Sequence, residues 1–253
     1  YMPLILLGFL FTVLIGTALA QDMEANNKQA NDTEAFQQAL EQDGFTVQEG
    51  ELAYFDLLKL LEEGALPSAY GNNPTTKYLI YFVPPAPGYE VDEQISEITS
   101  TLGVSGNLTP FWNLRPDEAV VFVGRTPPEC RYFSYDHYIM HRTYGNEKRW
   151  LFSNVADTVN NLVIKTEGTP NGSSGNPYNQ TTIIVATADK GIDQRIRAAA
   201  QSAGYPDGIF NTQVFPSAML NMGLENDSDT FMMLIRPALV TDKQAGDNYV
   251  NNT

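Results

Sequence analysis

Three runs of apolar and β-branched residues constrain the fold of this chain more than any other feature of its sequence. They are KYLIYFV at 77–83, TTIIVATAD at 181–189 and DTFMMLIRPAL at 229–239. Apolar runs of this length, rich in Val, Ile, Phe and Tyr, are typical of buried strands. The sequence therefore predicts a sheet with a buried centre, and the Pro84-Pro85 pair ends its first strand.

Helical spacing alternates with these strands. It occurs in four segments, at 34–44, 52–64, 90–103 and 192–204. The stretch 118–143 predicts two strands joined by a turn, and 181–239 fits a β-α-β-α-β unit. The spacing of apolar residues at 151–163 fits a helix, although the residues of this segment are poor helix formers. The pattern predicts an α+β fold, with a mixed, mainly antiparallel sheet and helices packed on it, as a single large domain over 34–240.

The two ends of the chain have their own composition. Residues 1–20 carry no charge and end in Ala18-Leu19-Ala20, which matches the small-x-small pattern of signal-peptidase sites. We predict a signal peptide at 1–20, with a membrane anchor as the alternative because the run nearly reaches the roughly 20 residues of a membrane span. Residues 21–33 predict a flexible polar tether and 241–253 a polar tail. The protein is expected to be secreted, or anchored with its domain outside the cytosol.

Charge and cysteine content restrict the partners. The formal net charge is −15 and the sequence pI is about 4.4, which disfavours nucleic acid and anionic lipid surfaces as partners. A membrane is therefore a partner only if the leader is retained. Cys130 is the only cysteine, so no disulfide forms within the chain, and its thiol is either buried and inert or pairs with another chain.

Six Asn-x-Ser/Thr sequons accompany the leader. We predict glycosylation at four of them, Asn31, Asn171, Asn179 and Asn226. Pro110 makes Asn107 a poorer acceptor, and the sixth sequon begins at Asn251. The combination indicates a eukaryotic secretory glycoprotein, although a bacterial exported protein would carry the same letters without the sugar.

The motifs of common enzymes are absent from the sequence. There is no Gly-x-Ser-x-Gly elbow, no phosphate-cradling Gly-x-x-x-x-Gly-Lys-Ser/Thr, no Gly-x-Gly-x-x-Gly and no His-Glu-x-x-His. We therefore predict no cofactor and no metal site, and no catalytic residue can be named. The expectation leans towards a protein without catalytic activity.

The stretch TPPECRYFSYDHYIMHR, residues 126–142, combines both histidines with basic and aromatic residues. On a regular strand Arg131, Tyr135, His137 and His141 would fall on one side, with Arg125 joining them across the turn. His137 and His141 would lie about 13 Å apart, too far for one metal ion. Such a face predicts binding of an anionic or carbohydrate ligand through charge-assisted hydrogen bonds and ring stacking. The alternative is that these residues serve only the fold.

A segment around this face resembles uncharacterised exported proteins of algae, fungi and bacteria. They share a Trp-x-Leu-x-Pro-Asp-Glu-Ala run followed by Gly-x-x-Pro-Pro-x-x-Arg-Tyr-aromatic-Ser. The matching residues are Trp112, Leu114, Pro116, Asp117, Glu118, Ala119, Gly124, Pro127, Pro128, Arg131, Tyr132, Phe133 and Ser134. The resemblance implies an exported, β-rich fold and carries no assigned activity.

Three functional hypotheses follow. The first is a secreted or cell-surface glycoprotein that binds an anionic or carbohydrate ligand, or another surface protein, through the 125–142 face. The second is an exported hydrolase that uses paired Asp/Glu carboxylates, or His137 with Asp136, for acid–base chemistry. The third is a structural component of an extracellular layer or filament.

Overall fold

The computed structural model describes residues 30–251, with the exception of 71, 87, 105, 106 and 173. The predicted signal peptide and the first part of the predicted tether lie outside the described residues. The fold is α+β, with mostly antiparallel strands, as the sequence predicts. None of the helices in this described part is both long and apolar enough to cross a membrane.

Five helices and eleven strands are described. The helices are α1 at residues 30–42, α2 Leu57–Glu62, α3 Glu93–Leu102, α4 Lys190–Ser202 and α5 Lys243–Asn251. The strands are β1 Glu51–Tyr54, β2 Leu79–Phe82, β3 Ala119–Arg125, β4 Cys130–Tyr132, β5 Ser134–Tyr144, β6 Glu147–Asn154, β7 Val159–Asn160, β8 Thr181–Thr187, β9 Phe210–Val214, β10 Thr230–Ile235 and β11 Ala238–Val240.

The chain divides into two compact units. Among the described residues, the smaller unit comprises 30–47 and 198–205, and the larger one comprises 48–197 and 206–251. In the smaller unit α1 buries Phe36 and Leu40, and the Phe36 ring meets Tyr205 edge-on at 6.0 Å between ring centroids. The bounds of the single domain predicted over 34–240 stay a prediction.

Three sheets make up the larger unit. The main sheet has the strand order β1-β2-β10-β5-β6, and all of these neighbours are antiparallel. Strand β7 pairs with the first two residues of β5, Ser134 and Tyr135. The second sheet has the order β3-β8-β9, in which β3 and β8 are antiparallel while β8 and β9 are parallel and joined through α4. Strands β4 and β11 form a separate antiparallel pair.

The central strands β2 and β10 of the main sheet are buried on both faces, which explains their continuous apolar runs. On β2, Leu79 and Tyr81 join one apolar cluster, which also contains Ile184 of the second sheet. The alternating residues Ile80 and Phe82 join a second cluster on the other face. A strand covered on both sides needs apolar residues at every position, so its sequence lacks alternation.

The helix expected at 52–64 is shorter than predicted. Its first residues form strand β1, which pairs with β2. The helix begins only after Asp56, whose carboxylate accepts hydrogen bonds from the backbone N–H groups of Leu58 and Lys59. An aspartate at this position satisfies N–H groups that the first helical turn leaves free, so it fixes the start of α2.

Two segments expected to be polar and irregular are helical. Residues 30–33, assigned to the tether, belong to α1, where the Thr33 hydroxyl lies 3.1 Å from that of Tyr205. The predicted polar tail contains α5, in which Val250 is buried and the Tyr249 hydroxyl donates to the Arg125 carbonyl. In both cases a few apolar or aromatic side chains pack against the rest of the fold and stabilise the helix, although the segment is polar on average.

One ion pair holds a loop against the main sheet. Asp229 is completely buried, and its carboxylate accepts hydrogen bonds from the Arg142 guanidinium and from the Asn221 backbone N–H. The same guanidinium donates to the Met219 carbonyl. Arg142 therefore fixes the loop between β9 and β10 to the end of β5.

Replacing Arg142 with Ala should lower the free energy of unfolding by about 3 kcal/mol, because the Asp229 carboxylate would remain buried without its cation. Arg149 pairs with Arg142 in the strand register, but its own ion pair with Glu147 is exposed. Arg149→Ala should therefore cost less than about 1 kcal/mol. Urea unfolding of both variants measures the difference, and equal losses would contradict the structural role of Arg142.

Candidate functional site

The five residues predicted to form an open face do not come together. Arg125 is exposed at the end of β3, in the second sheet, where its guanidinium donates to the Asn179 carbonyl at 2.8 Å. Arg131 is exposed on β4. Tyr135 and His137 lie on β5 but are buried in the core. His141, also on β5, lies on the opposite face from His137.

His137 is enclosed by aromatic rings. The rings of Tyr81, Trp112 and Phe215 lie 6.3, 5.9 and 5.5 Å from its own, measured between centroids. Its Nδ1 lies 2.8 Å from Oε1 of Gln213. The Gln213 amide nitrogen already donates to two carbonyls, so its oxygen is the acceptor and Nδ1 carries the proton. Burial lowers the pKa of His137 to about 4, so the ring is neutral at physiological pH.

Asp136 points away from His137. Its carboxylate accepts hydrogen bonds from Ser134 and Thr158, both at 2.6 Å, and from Asn154 at 3.0 Å. Neighbouring residues of a strand project to opposite faces, which explains the separation. The hypothesis of an acid–base pair made of His137 and Asp136 therefore lacks the contact that such a pair requires.

An irregularity in β5 separates the two histidines. Strand β10 pairs Phe231 with Ile139 and the preceding Thr230 with His141, so the residue between them is skipped. The extra residue is Met140, and it forms a β-bulge. As a consequence His141 packs on Phe111, beside the cluster that holds Met140, while His137 faces the second sheet. The prediction that His137 and His141 share a face is wrong for this reason.

The bulge brings five rings together on the outer side of the main sheet. We call this group, Phe111, Tyr138, His141, Trp150 and Phe152, the aromatic face. Trp150 lies edge-on to His141 at 4.7 Å and to Phe111 at 6.0 Å, and Phe152 stacks on Tyr138 at 4.8 Å with an angle of 12°. Trp150 is 59% exposed and Phe152 is 48% exposed.

The hairpin β5–β6 carries the aromatic face. Its two strands are joined by Gly145 and Asn146, and Gly145 has φ of +61°. A glycine with positive φ at the first turn position, followed by a residue with ordinary φ, is typical of a type II′ hairpin turn. The segment 151–163 is accordingly strand rather than helix in its first part. The Gly-Asn pair at 145–146 was the sequence signal for this hairpin.

Polar groups flank the aromatic face. Lys148 lies at the end near the turn, close enough to His141 to affect its titration. Burial lowers the pKa of His141 and Lys148 lowers it further, so its ring is neutral at physiological pH. Arg236 lies at the other end, within electrostatic reach of Tyr138 and Asp136. The face thus combines exposed rings with cations at both ends.

The other candidate sites among the described residues offer fewer groups that could bind or react with a ligand. Burial raises the pKa of the Cys130 thiol to about 11, so it stays protonated, and it donates to the Tyr132 carbonyl. A groove of about 410 Å³ is lined by Glu51 and Asp56, but Asp56 already caps α2. Within residues 30–251 as described, no three His, Cys, Asp or Glu side chains are placed to hold a metal ion.

Acid should destabilise the protein through His137. Its pKa is about 4 in the folded state, against about 6.5 when unfolded, so the unfolded state binds more protons between these values. Stability should therefore fall by about 3 kcal/mol from this group as the pH drops from 6.5 to 4. Urea unfolding against pH for the wild type and His137→Gln measures the difference in slope. Identical slopes, or a native His137 ring that titrates near pH 6.5 by NMR, would contradict the prediction.

In comparisons with known proteins, no family model, no curated protein and no solved structure matches this chain significantly.

Proposed function

We propose that the protein is a secreted or cell-surface glycoprotein that binds carbohydrate through the aromatic face. The observation that carries the proposal is the exposure of two large rings, Trp150 and Phe152, on one side of the hairpin. The C–H groups of a sugar ring pack against an aromatic ring, while its hydroxyls remain free to bond polar neighbours. The site shares Tyr138 and His141 with the 125–142 stretch expected from the sequence, but its two exposed rings lie on the next strand, β6.

Exposure of these rings is costly without a ligand. Each places a large apolar surface in water, where the hydrophobic effect favours burial. Phe152 in addition has φ of +53°, in the left-handed region that bulky residues avoid. Strained residues of this kind cost on the order of 1–3 kcal/mol and concentrate at functional sites. A binding role for Phe152 explains why a glycine or asparagine does not occupy the position.

The spacing of the rings suits an extended ligand. Trp150 packs at His141 and Phe152 stacks on Tyr138. Trp150 and Phe152 are two residues apart on β6, so the two exposed rings lie roughly 7 Å from one another along the strand. That separation exceeds the width of one sugar ring, and we infer that the ligand is an oligosaccharide rather than a monosaccharide.

The proposal of export is supported by the placement of the sequons. Asn31, Asn171, Asn179 and Asn226 are all exposed. None lies within the hairpin 134–154, so glycans at these positions leave its chain unmodified. Exposed sequons outside the binding hairpin are what a glycoprotein with a free ligand face requires.

Self-association through β6 is the second candidate. β6 is the outer strand of the main sheet, and all eight of its residues are exposed. An exposed edge strand with apolar residues can pair with another chain, as a layer or filament protein would need. Lys148, Arg149 and the register shift between Trp150 and Ser153 of β6 oppose such pairing, because edge charges and bulges are devices that prevent it. Carbohydrate binding is therefore preferred.

Trp150→Ala and Phe152→Ala should each weaken binding to an oligosaccharide array by more than about tenfold, because each removes one stacking surface. Their melting temperatures should change little, since both rings are exposed. Tyr70→Ala is the matched control, because Tyr70 is 98% exposed and lies outside the aromatic face. Unchanged binding in both ring variants would overturn the proposal, and concentration-dependent self-association in sedimentation would favour the alternative.

Expression of the full chain in eukaryotic cells should yield a soluble protein in the medium that begins near residue 21. An endoglycosidase should lower its mass, and removal of the four predicted glycosylation sites by Asn→Gln at 31, 171, 179 and 226 should abolish the shift. Recovery of the uncleaved chain in the membrane fraction would instead support an anchor. Cytosolic, unglycosylated protein would contradict export.

A further inference from the structure

We infer that the aromatic face selects saccharides that carry isolated acidic groups, such as uronic acids. The inference rests on the proposed function and adds a ligand class to it. The observation that carries it is Lys148, a cation beside the exposed rings that has no anionic partner among the described residues. Its contribution is separable from that of the rings by substitution.

Lys148 lies on the same side of the hairpin as Trp150. In the antiparallel register Lys148 is opposite Thr143 and Trp150 is opposite His141. Residues two apart on a strand share a face and lie roughly 7 Å from each other. A lysine side chain spans this distance, so its ammonium group reaches the edge of a sugar that stacks on the indole. The carboxylate of a uronic acid projects from that edge.

The other basic residues of the hairpin are already paired. Arg142 is bound to the buried Asp229, and Arg149 lies 2.7 Å from Glu147 and over the Tyr144 ring. Arg149 also follows Lys148 directly, so it projects to the opposite face. Lys148 is therefore the cation of the hairpin that is free to meet a ligand on the aromatic face.

A second cation lies at the far end of the face. Arg236 is half-buried close to Tyr138, the residue on which Phe152 stacks. It is also near Asp136, but three neighbouring side chains already donate hydrogen bonds to that carboxylate. A ligand that spans both exposed rings would therefore meet a cation near each of its ends.

The net charge of the chain limits how acidic the ligand is. The protein has a net charge of −15, so it repels a long polymer that carries a negative charge on every unit. One cation at each end of a short site acts only within about 8 Å at physiological ionic strength. The combination favours oligosaccharides with a few carboxylates and disfavours densely sulfated polymers and nucleic acids.

The test uses the mature glycoprotein and paired oligosaccharides that differ only in charge. Short oligomers of galacturonate, glucuronate and mannuronate are compared with their methyl esters, in which the carboxylate is neutral, and heparin serves as a densely charged polymer. Affinities are measured by isothermal titration calorimetry for the wild type, Lys148→Gln and Arg149→Gln. The last variant is the matched control, because it removes the same charge from the next residue on the opposite face.

We expect at least one acid to bind about tenfold more tightly than its ester, because a charge-assisted hydrogen bond contributes this much. Lys148→Gln should abolish the preference without weakening ester binding, and Arg149→Gln should retain it. Equal affinity for acid and ester in every pair would overturn the inference while leaving carbohydrate binding intact, as would tighter binding to heparin. Failure of both acids and esters to bind would overturn the proposed function itself.

Discussion

The bulge at Met140 is the constraint on which the arrangement of this protein depends. β5 is the strand between β10 and β6 in the main sheet, and one side of its first half faces the second sheet. A regular strand would have sent His141 into the same core as His137. The extra residue reverses the alternation, so that His141 joins the outer side and Arg142 reaches the buried Asp229. A single inserted residue thus fixes the positions of both the aromatic face and the ion pair of Arg142 with Asp229.

The two halves of β5 therefore have different physical roles. Before the bulge, Tyr135 and His137 are buried among aromatic rings in the core. After it, the strand extends beyond the core as a hairpin whose partner β6 is exposed along its length. Function is expected in the second half, because the core around the first half is packed and offers no access to a ligand.

Much of the fold was predictable from local pattern. The apolar runs of β2, β8 and β10 and the helical spacing of α3 and α4 all correspond to elements of the structure, because burial on one or both faces leaves a direct mark on the sequence. The second half of the proposed β-α-β-α-β unit was wrong. β8, α4 and β9 follow it, but a 3₁₀ turn replaces the second helix and β10 enters the main sheet.

The candidate site was predicted only in part. The stretch 126–142 was singled out correctly as unusual, yet its histidines are separated by a bulge that depends on the register with β10, a contact about 90 residues away in the chain. Phe152 was missed because the spacing at 151–163 also fits a helix, and Trp150, just before that segment, was not assigned to any element. The contrast between a core aromatic and an exposed one is not visible in residue type alone.

The most direct test of the account uses the two tryptophans as internal reporters. Trp112 is 3% exposed in the core, whereas Trp150 is 59% exposed on the aromatic face, so their indole N–H groups give two separate NMR signals. Titration of the ¹⁵N-labelled protein with the oligosaccharide panel should shift the Trp150 signal and leave that of Trp112 in place. A panel that shifts neither signal, or shifts only that of Trp112, would contradict the assignment of the aromatic face as the ligand site.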